Sequence, residues 1–249
     1  IFCKKSVKKH DFRKSGIYNQ GFIMKKNKPF FQTGQTSERK NGKKISRQII
    51  CLSGQMAAGK NAASEIFENC GFVSVDFDTL VHQAIEEQTP AILAEFSQAA
   101  EQQEIELLQA DGKLNRRALG SLIFKDALLL ARQEAIVYPC VISLAKQFSM
   151  QNLQKNIIFN ATVLFKIPEL MQMCTAVVFI ESPYLLRLLR AKKRDNIPFK
   201  QIARRFKTQK KLLQTYKNTG LPVFTVKNSS TLEALAKKIK KLIYSQILV

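Results

Sequence analysis

Histidine is nearly absent from this chain of 249 residues, which has two, and its five cysteines are odd in number. His10 and His82 have no second histidine nearby, and no Cys/His spacing resembles a zinc site, so a metal held by protein side chains alone is not expected. Cys3, Cys51, Cys70, Cys140 and Cys174 are widely spaced, four of them in apolar contexts. That pattern suits reduced core thiols of a cytoplasmic protein better than a disulfide framework. Acids are also short: 19 Asp and Glu stand against 40 Lys and Arg, a formal net charge of +21. No apolar run reaches the ~18 residues of a membrane span, and no apolar stretch follows the N-terminal lysines as a secretory signal requires. The remaining composition, 45% hydrophobic and 24% charged, is ordinary for a globular protein and excludes a wholly disordered chain.

A charge this large points to a polyanion, but it is not spread evenly. Residues 1–48 carry 14 Lys and Arg against 2 acids, and residues 187–217 carry 12 against one, Asp195. The rest of the chain is close to neutral. Residues 1–47 show turn formers and lysines without sustained apolar periodicity, and read as a basic, disordered extension. A tail for nucleic acid or a membrane surface is one reading of it. A solvated leader is the expected one, with Met24 opening a second basic run closer to the first strand. A single domain is expected over residues 48–249.

At Gln48 the texture changes. Ile49 to Gly54 is a short β-branched, apolar run of the kind that forms a buried parallel strand. Gly54, Gln55, Met56, Ala57, Ala58, Gly59, Lys60 and Asn61 follow, and then a helical pattern whose Ala62, Ile66 and Phe67 share one face. Strand, G-x-x-x-x-G-K and helix in that order are what a phosphate-binding loop requires. The glycines let backbone N–H groups turn inward, the helix N-terminus adds partial positive charge, and Lys60 can reach the β- and γ-phosphates. The Ser or Thr that usually follows the lysine and binds Mg²⁺ is here Asn61, whose carboxamide oxygen is a competent hard ligand.

Phe72 to Val75 reads as a second strand, with Asp76 and Asp78 at its carboxyl end, the edge at which parallel α/β sheets bind ligands. Strand alternation would aim both carboxylates to one side. One of them can orient or deprotonate a hydroxyl that attacks a phosphoryl group, while Asp78 is also a natural N-cap for the helix that follows.

From here the residues resemble a family, the dephospho-coenzyme A kinases. The phosphate loop followed by D-x-D, the segment Asp111 to Phe124 (DGKLNRRALGSLIF), Tyr138-Pro139, Ile157 to Phe165, Arg190 to Asp195 (RAKKRD), Arg204 to Gln209 (RRFKTQ) and Asn228 match its motifs in order over residues 48 to 245. Four positions depart from its pattern: Asn61, Phe77 for the middle alanine of D-A-D, Tyr138 for a histidine and Lys166 for an acid.

The resemblance implies a three-layer α/β P-loop kinase fold with a short parallel sheet, a helical acceptor-binding insertion over about 82–137 and a basic helical lid over about 188–216. Its implied substrates are ATP and dephospho-coenzyme A, with Mg²⁺ as cofactor and no membrane or specific nucleic-acid partner. Implied catalytic residues are Asp78, Lys60, Arg190 and Arg194. ATP is assigned to Gly54 through Ala62 together with Arg205, Gln209 and Asn228, and the acceptor to Asp76, Asp78, Leu114, Arg116 and Tyr138. Asn61 is the metal position. Read by its residues alone, the basic stretch is a helix over SPYLLRLLRAKKR capped by Ser182 with Pro183 first, a break at Asp195 to Pro198, and a second helix FKQIARRFKTQKKLLQ. Two alternatives stay open at this point: a kinase of the nucleoside monophosphate type, and a weakly catalytic nucleotide- or nucleic-acid-binding protein.

Overall fold

Ile49–Gly54 forms β1, buried along its whole length because both of its faces are covered. Ile50 and Leu52 pack on one side with helices α1 (Lys60–Glu68) and α10 (Leu232–Leu242). Cys51 and Ser53 face the other, where Cys51 lies against the Tyr216 hydroxyl. In the computed structural model, which describes residues 47–248, the remaining strands are β2 (Val73–Asp76), β3 (Ile157–Asn160), β4 (Ala176–Glu181) and β5 (Val223–Lys227). The sheet is parallel throughout, in the order β2-β3-β1-β4-β5. The central strands β1 and β3 are wholly buried, and the edges β2 and β5 are mostly half-exposed. That gradient explains why the inner strands read as continuous apolar runs in the sequence. The segment from Ile157 to Phe165 is a strand only at its start. The strand stops at Asn160, and Leu164–Lys166 coil into a 3₁₀ turn.

Between β2 and β3 lie α2 (Phe77–Glu87), α3 (Thr89–Glu101), α4 (Arg116–Ile123) and α5 (Ala127–Gln151). A short α6 (Pro168–Met173) leads into β4. The basic stretch forms α7 (Tyr184–Asp195), α8 (Phe199–Thr208) and α9 (Leu212–Lys217). Residues 82–137 are thus largely helical, with a non-helical excursion after α3 closed by a bridge between Leu108 and Leu114.

The basic extension expected over residues 1–47 lies outside the described residues, except for Arg47. Its guanidinium donates to the carbonyls of Lys155 and Ser149 and to Ser149 Oγ, tying it to the end of α5. Helix α5 bears on the search for a membrane span. By length and composition it is the one described helix long and apolar enough to cross a membrane. The sequence shows no unbroken apolar run there because Arg132, Glu134 and Lys146 interrupt it. Those three side chains form ion pairs with Glu95, Lys166 and Glu169. The stripe Gln133, Val137, Val141, Ala145 and Ser149, spaced by four residues, is the face α5 buries.

Candidate functional site

The loop between β1 and α1 is held by contacts that only its own sequence permits. Gly54 pairs with Ile180 across the sheet, and a Cβ there would stand 2.5 Å from the Ile180 carbonyl oxygen. Ala57 has φ 60 and Gly59 has φ 100, both left-handed, so the backbone turns inward just before the helix. No side chain caps α1, and a helix N-terminus of that kind is a favourable place for an anion. Two distant residues fix the loop: Gln209 Oε1 accepts from the Met56 N–H at 2.6 Å, and Asn228 Nδ2 donates to the Ala58 carbonyl at 2.9 Å. Both are buried.

Gly59 therefore has two reasons to be glycine: its φ, and the 2.3 Å that would separate an added Cβ from Asn228 Nδ2. Gly59→Ala is expected to lower stability by about 1–3 kcal/mol, read as a drop of several degrees in Tm. On the expectation that this loop holds ATP, the variant should also weaken ATP binding by more than that loss explains, because it dislodges Asn228 from the loop. Paired thermal melts and nucleotide titrations check this.

Lys60 Nζ donates to Thr162 Oγ1 at 2.7 Å, just past the end of β3. Thr162 is fixed in turn, its carbonyl accepting from Ser53 Oγ at 3.1 Å and from the Tyr216 hydroxyl at 3.2 Å. Tyr216 is fully buried and also accepts from the Leu164 N–H at 3.0 Å. Burial, followed by its neighbour Cys51, holds its phenol well above the ordinary range. Burial likewise pushes the Cys51 thiol up to about 12. Neither group ionises near neutrality, so the charge beside the loop is carried by Lys60.

Asn61 Oδ1 accepts from Asn160 Nδ2 at 3.4 Å, a long bond. Asn160 is 5% exposed, and its own Oδ1 is buried with no hydrogen-bond partner. In register Asn160 pairs with Asp76 on one side and Leu52 on the other. Three oxygen-bearing side chains, Asn61, Asn160 and Asp76, thus converge at the carboxyl edge beside the loop. Among the described residues no cluster of three or more His, Cys, Asp or Glu could hold a metal ion by itself. The donor set is one of hard oxygens and suits a cation that keeps other ligands of its own.

The two aspartates divide their roles differently from the strand-alternation expectation. Asp76 ends β2 and is the N-cap of α2, its Oδ1 accepting from the Asp78 N–H at 2.9 Å. Asp78 is therefore in the first helical turn, not on the strand, and alternation does not govern where it points. One turn on, His82 lies within electrostatic range of Asp78, Asp76, Glu86 and Arg116. Desolvation, then Arg116, keeps its imidazole below the ordinary value against the pull of those acids, so it is neutral at physiological pH. Arg116 opens α4 after the Asn115 cap, and Leu114 is buried beneath it. Tyr138 is half-buried on α5 beside Glu134.

On the basic helices, Ser182 is not the N-cap: Pro183 takes that position with no side-chain bond, and α7 starts at Tyr184. Ser182 instead receives Arg187 Nε on its carbonyl and Arg190 Nη1 on its hydroxyl, each at 3.1 Å. Arg194 makes a two-pronged contact with Asp195. The break falls as expected, with α7 closing on Asn196 at φ 48, but the second helix is two, α8 and α9, parted at Gln209 to Lys211. Arg205 precedes Gln209 by one turn on the helix that meets the loop, and its Nη1 is buried without a partner. Tyr216, at the far end of the stretch, belongs to the core, with its ring 5.3 Å from Phe165.

The structure thus gathers the loop, Lys60, Asn61, Asp76, Asp78, Gln209 and Asn228 at one sheet edge. It sets Leu114, Arg116 and Tyr138 on the helical insertion and Arg190 and Arg194 on α7. Sequence reading missed Asn160, Thr162 and His82. Only His82 left a signal, its spacing of four from Asp78 on a helix.

Residues 48–233 match the family model for dephospho-CoA kinase. The chain is 33% identical to a dephospho-CoA kinase of Treponema denticola over 195 residues, covering 77% of this chain and 86% of that one. It is 31% identical to that of Treponema pallidum over 194 residues, covering 77% and 92%. Among solved structures, a Thermus thermophilus protein superposes with a TM-score of 0.67 at 21% identity, covering 81% of this chain and 98% of that one. A dephospho-CoA kinase from Campylobacter jejuni does so with a TM-score of 0.52 at 20%, covering 80% and 96%. At these identities the structural likenesses speak for the fold.

Proposed function

The chain belongs to the dephospho-CoA kinase family, and from that premise we propose how its residues carry out the reaction. It is a kinase that transfers the γ-phosphoryl group of ATP to the ribose 3′-hydroxyl of dephospho-coenzyme A, the last step of coenzyme A biosynthesis. The observation that carries the assignment of roles is the convergence at one sheet edge. An uncapped helix N-terminus and Lys60 stand on one side of Asn160, and the Asp76-capped turn bearing Asp78 stands on the other.

In this reading the loop amides and Lys60 hold the β- and γ-phosphates, and Thr162 keeps the ammonium group aimed. Asp78 orients the 3′-hydroxyl and accepts its proton as oxygen attacks phosphorus. The hard oxygens of Asn61, Asn160 and Asp76 would hold Mg²⁺ together with the nucleotide, and the bound cation would neutralise charge on the phosphates. Arg190, Arg194 and Arg205 supply further positive charge to the transferring group, and Gln209 and Asn228 keep the loop in shape. Leu114, Arg116 and Tyr138 face the acceptor from the insertion. α7 and α8 act as the lid that excludes water, while α9, with Tyr216 in the core, is its fixed end. A cytoplasmic setting is part of the proposal, supported by four free thiols, Cys51, Cys70, Cys140 and Cys174.

The test is ADP release by the purified protein with ATP and Mg²⁺, comparing dephospho-coenzyme A with a panel of nucleoside monophosphates. Turnover with dephospho-coenzyme A alone is expected. Intact ATP binding without turnover on any acceptor would sink the assignment.

A further inference from the structure

Tyr138 and Lys166, far apart in the sequence, stand beside a single carboxylate, that of Glu134. Glu134 Oε1 accepts from Lys166 Nζ, and the Glu134 carboxylate stands close enough to Tyr138 to help raise its phenol above the ordinary range. Glu134 and Tyr138 are four residues apart on α5 and so share one face of it. Lys166 closes the 3₁₀ turn after β3, four residues past the Thr162 that receives Lys60. The pair is sheltered, the two side chains being 29% and 21% exposed.

We propose that Glu134 is a positioning residue for the acceptor, holding Lys166 and Tyr138 as one unit that receives the acceptor's diphosphate. The inference rests on the kinase reading above and deepens it at the acceptor side. Place supports it: α5 packs along α2, the helix that carries Asp78, and the turn holding Lys166 leaves the same sheet edge as Asn160 and Thr162. Chemistry supports it as well. An ammonium group has three donors and Glu134 takes one, so two N–H groups remain for phosphate oxygens. Burial, and then the Glu134 carboxylate, keep the Tyr138 phenol above its ordinary range and so uncharged. It therefore stands beside the carboxylate without adding charge. A purely structural purpose is already served nearby, where the exposed pair Lys146–Glu169 ties α5 to α6.

The experiment compares Glu134→Gln, Lys166→Met, the double variant and Lys166→Arg with the unaltered protein. It reads KM for dephospho-coenzyme A and for ATP, Tm, and direct binding of dephospho-coenzyme A by calorimetry. Each single variant is expected to weaken acceptor KM and binding about tenfold, in the range for a hydrogen bond to a charged group. ATP KM should stay within about twofold, well inside that difference. The double variant should cost no more than either single one, because both break the same unit, and Lys166→Arg should recover most of the loss. Acceptor binding unchanged in both single variants would overturn the proposal, as would losses that multiply in the double variant or fall equally on ATP. A variant with lowered Tm but unchanged acceptor KM overturns it too, since that is the mark of a merely structural pair. An unaltered protein that binds dephospho-coenzyme A without turnover contradicts the kinase reading instead, and the calorimetric comparison still decides this one.

Discussion

An Asp78→Asn protein is expected to lose about 10²–10⁴-fold in kcat, the usual contribution of a positioned general base. Asn keeps the shape and the backbone N–H that Asp76 accepts, so the cap of α2 survives. Under the proposed role, what it removes is the ability to take the hydroxyl proton. A carboxylate in the first turn also interacts favourably with the helix dipole, so the variant should be slightly less stable, by about 0.3–1 kcal/mol. The loss must therefore appear in kcat with ATP affinity intact, measured by steady-state turnover beside a nucleotide titration. Full activity in Asp78→Asn would move the base elsewhere without disturbing the fold. Asp76, already committed to capping, would be next to test.

Lys60→Met should cost about 10²–10³-fold in kcat, the range for removing one preorganised group at developing charge. In the proposed reading Lys60, unlike Asp78, holds ATP in the ground state as well as in transfer, so ATP KM should rise too. Arg is not a safe replacement, because a planar guanidinium cannot reproduce a point-like ammonium held by the single Thr162 hydroxyl. A Thr162→Val change keeps Lys60 but frees it, and should show a smaller defect of the same kind. Equal activity in Lys60→Met and the unaltered protein, measured at saturating ATP, would contradict the assigned role.

Much of this site was legible in the sequence because its demands are local. Gly54 and Gly59 answer to backbone geometry, and Lys60 to the helix that starts beneath it, so their spacing carries the information. The inner strands were legible because burial on both faces leaves an apolar run. Legibility fails where tertiary contacts choose between equals. Asp76 and Asp78 are both good caps, and only the end of pairing between β2 and β3 made Asp76 the one. Ser182 looked like a cap, yet Arg187 and Arg190 claim both of its oxygens. Asn160 and Thr162 owe their places to register with β1 and β2, which no spacing encodes. Tyr216 stands among lysines in the sequence, and its burial follows from α9 folding back onto the core. Tyr138 and Lys166 read as two unrelated departures from a family pattern, because the carboxylate that joins them, Glu134, sits on a helix a single sequence gives no reason to align with either.

The most direct measurement follows the phosphoryl group itself. ATP labelled at the γ position is incubated with the protein, Mg²⁺ and dephospho-coenzyme A, and the product's phosphorylated hydroxyl is identified. The account predicts label on the ribose 3′-oxygen, in a product indistinguishable from coenzyme A, with one ADP formed for each. Label found only in inorganic phosphate, or on another hydroxyl, would contradict it.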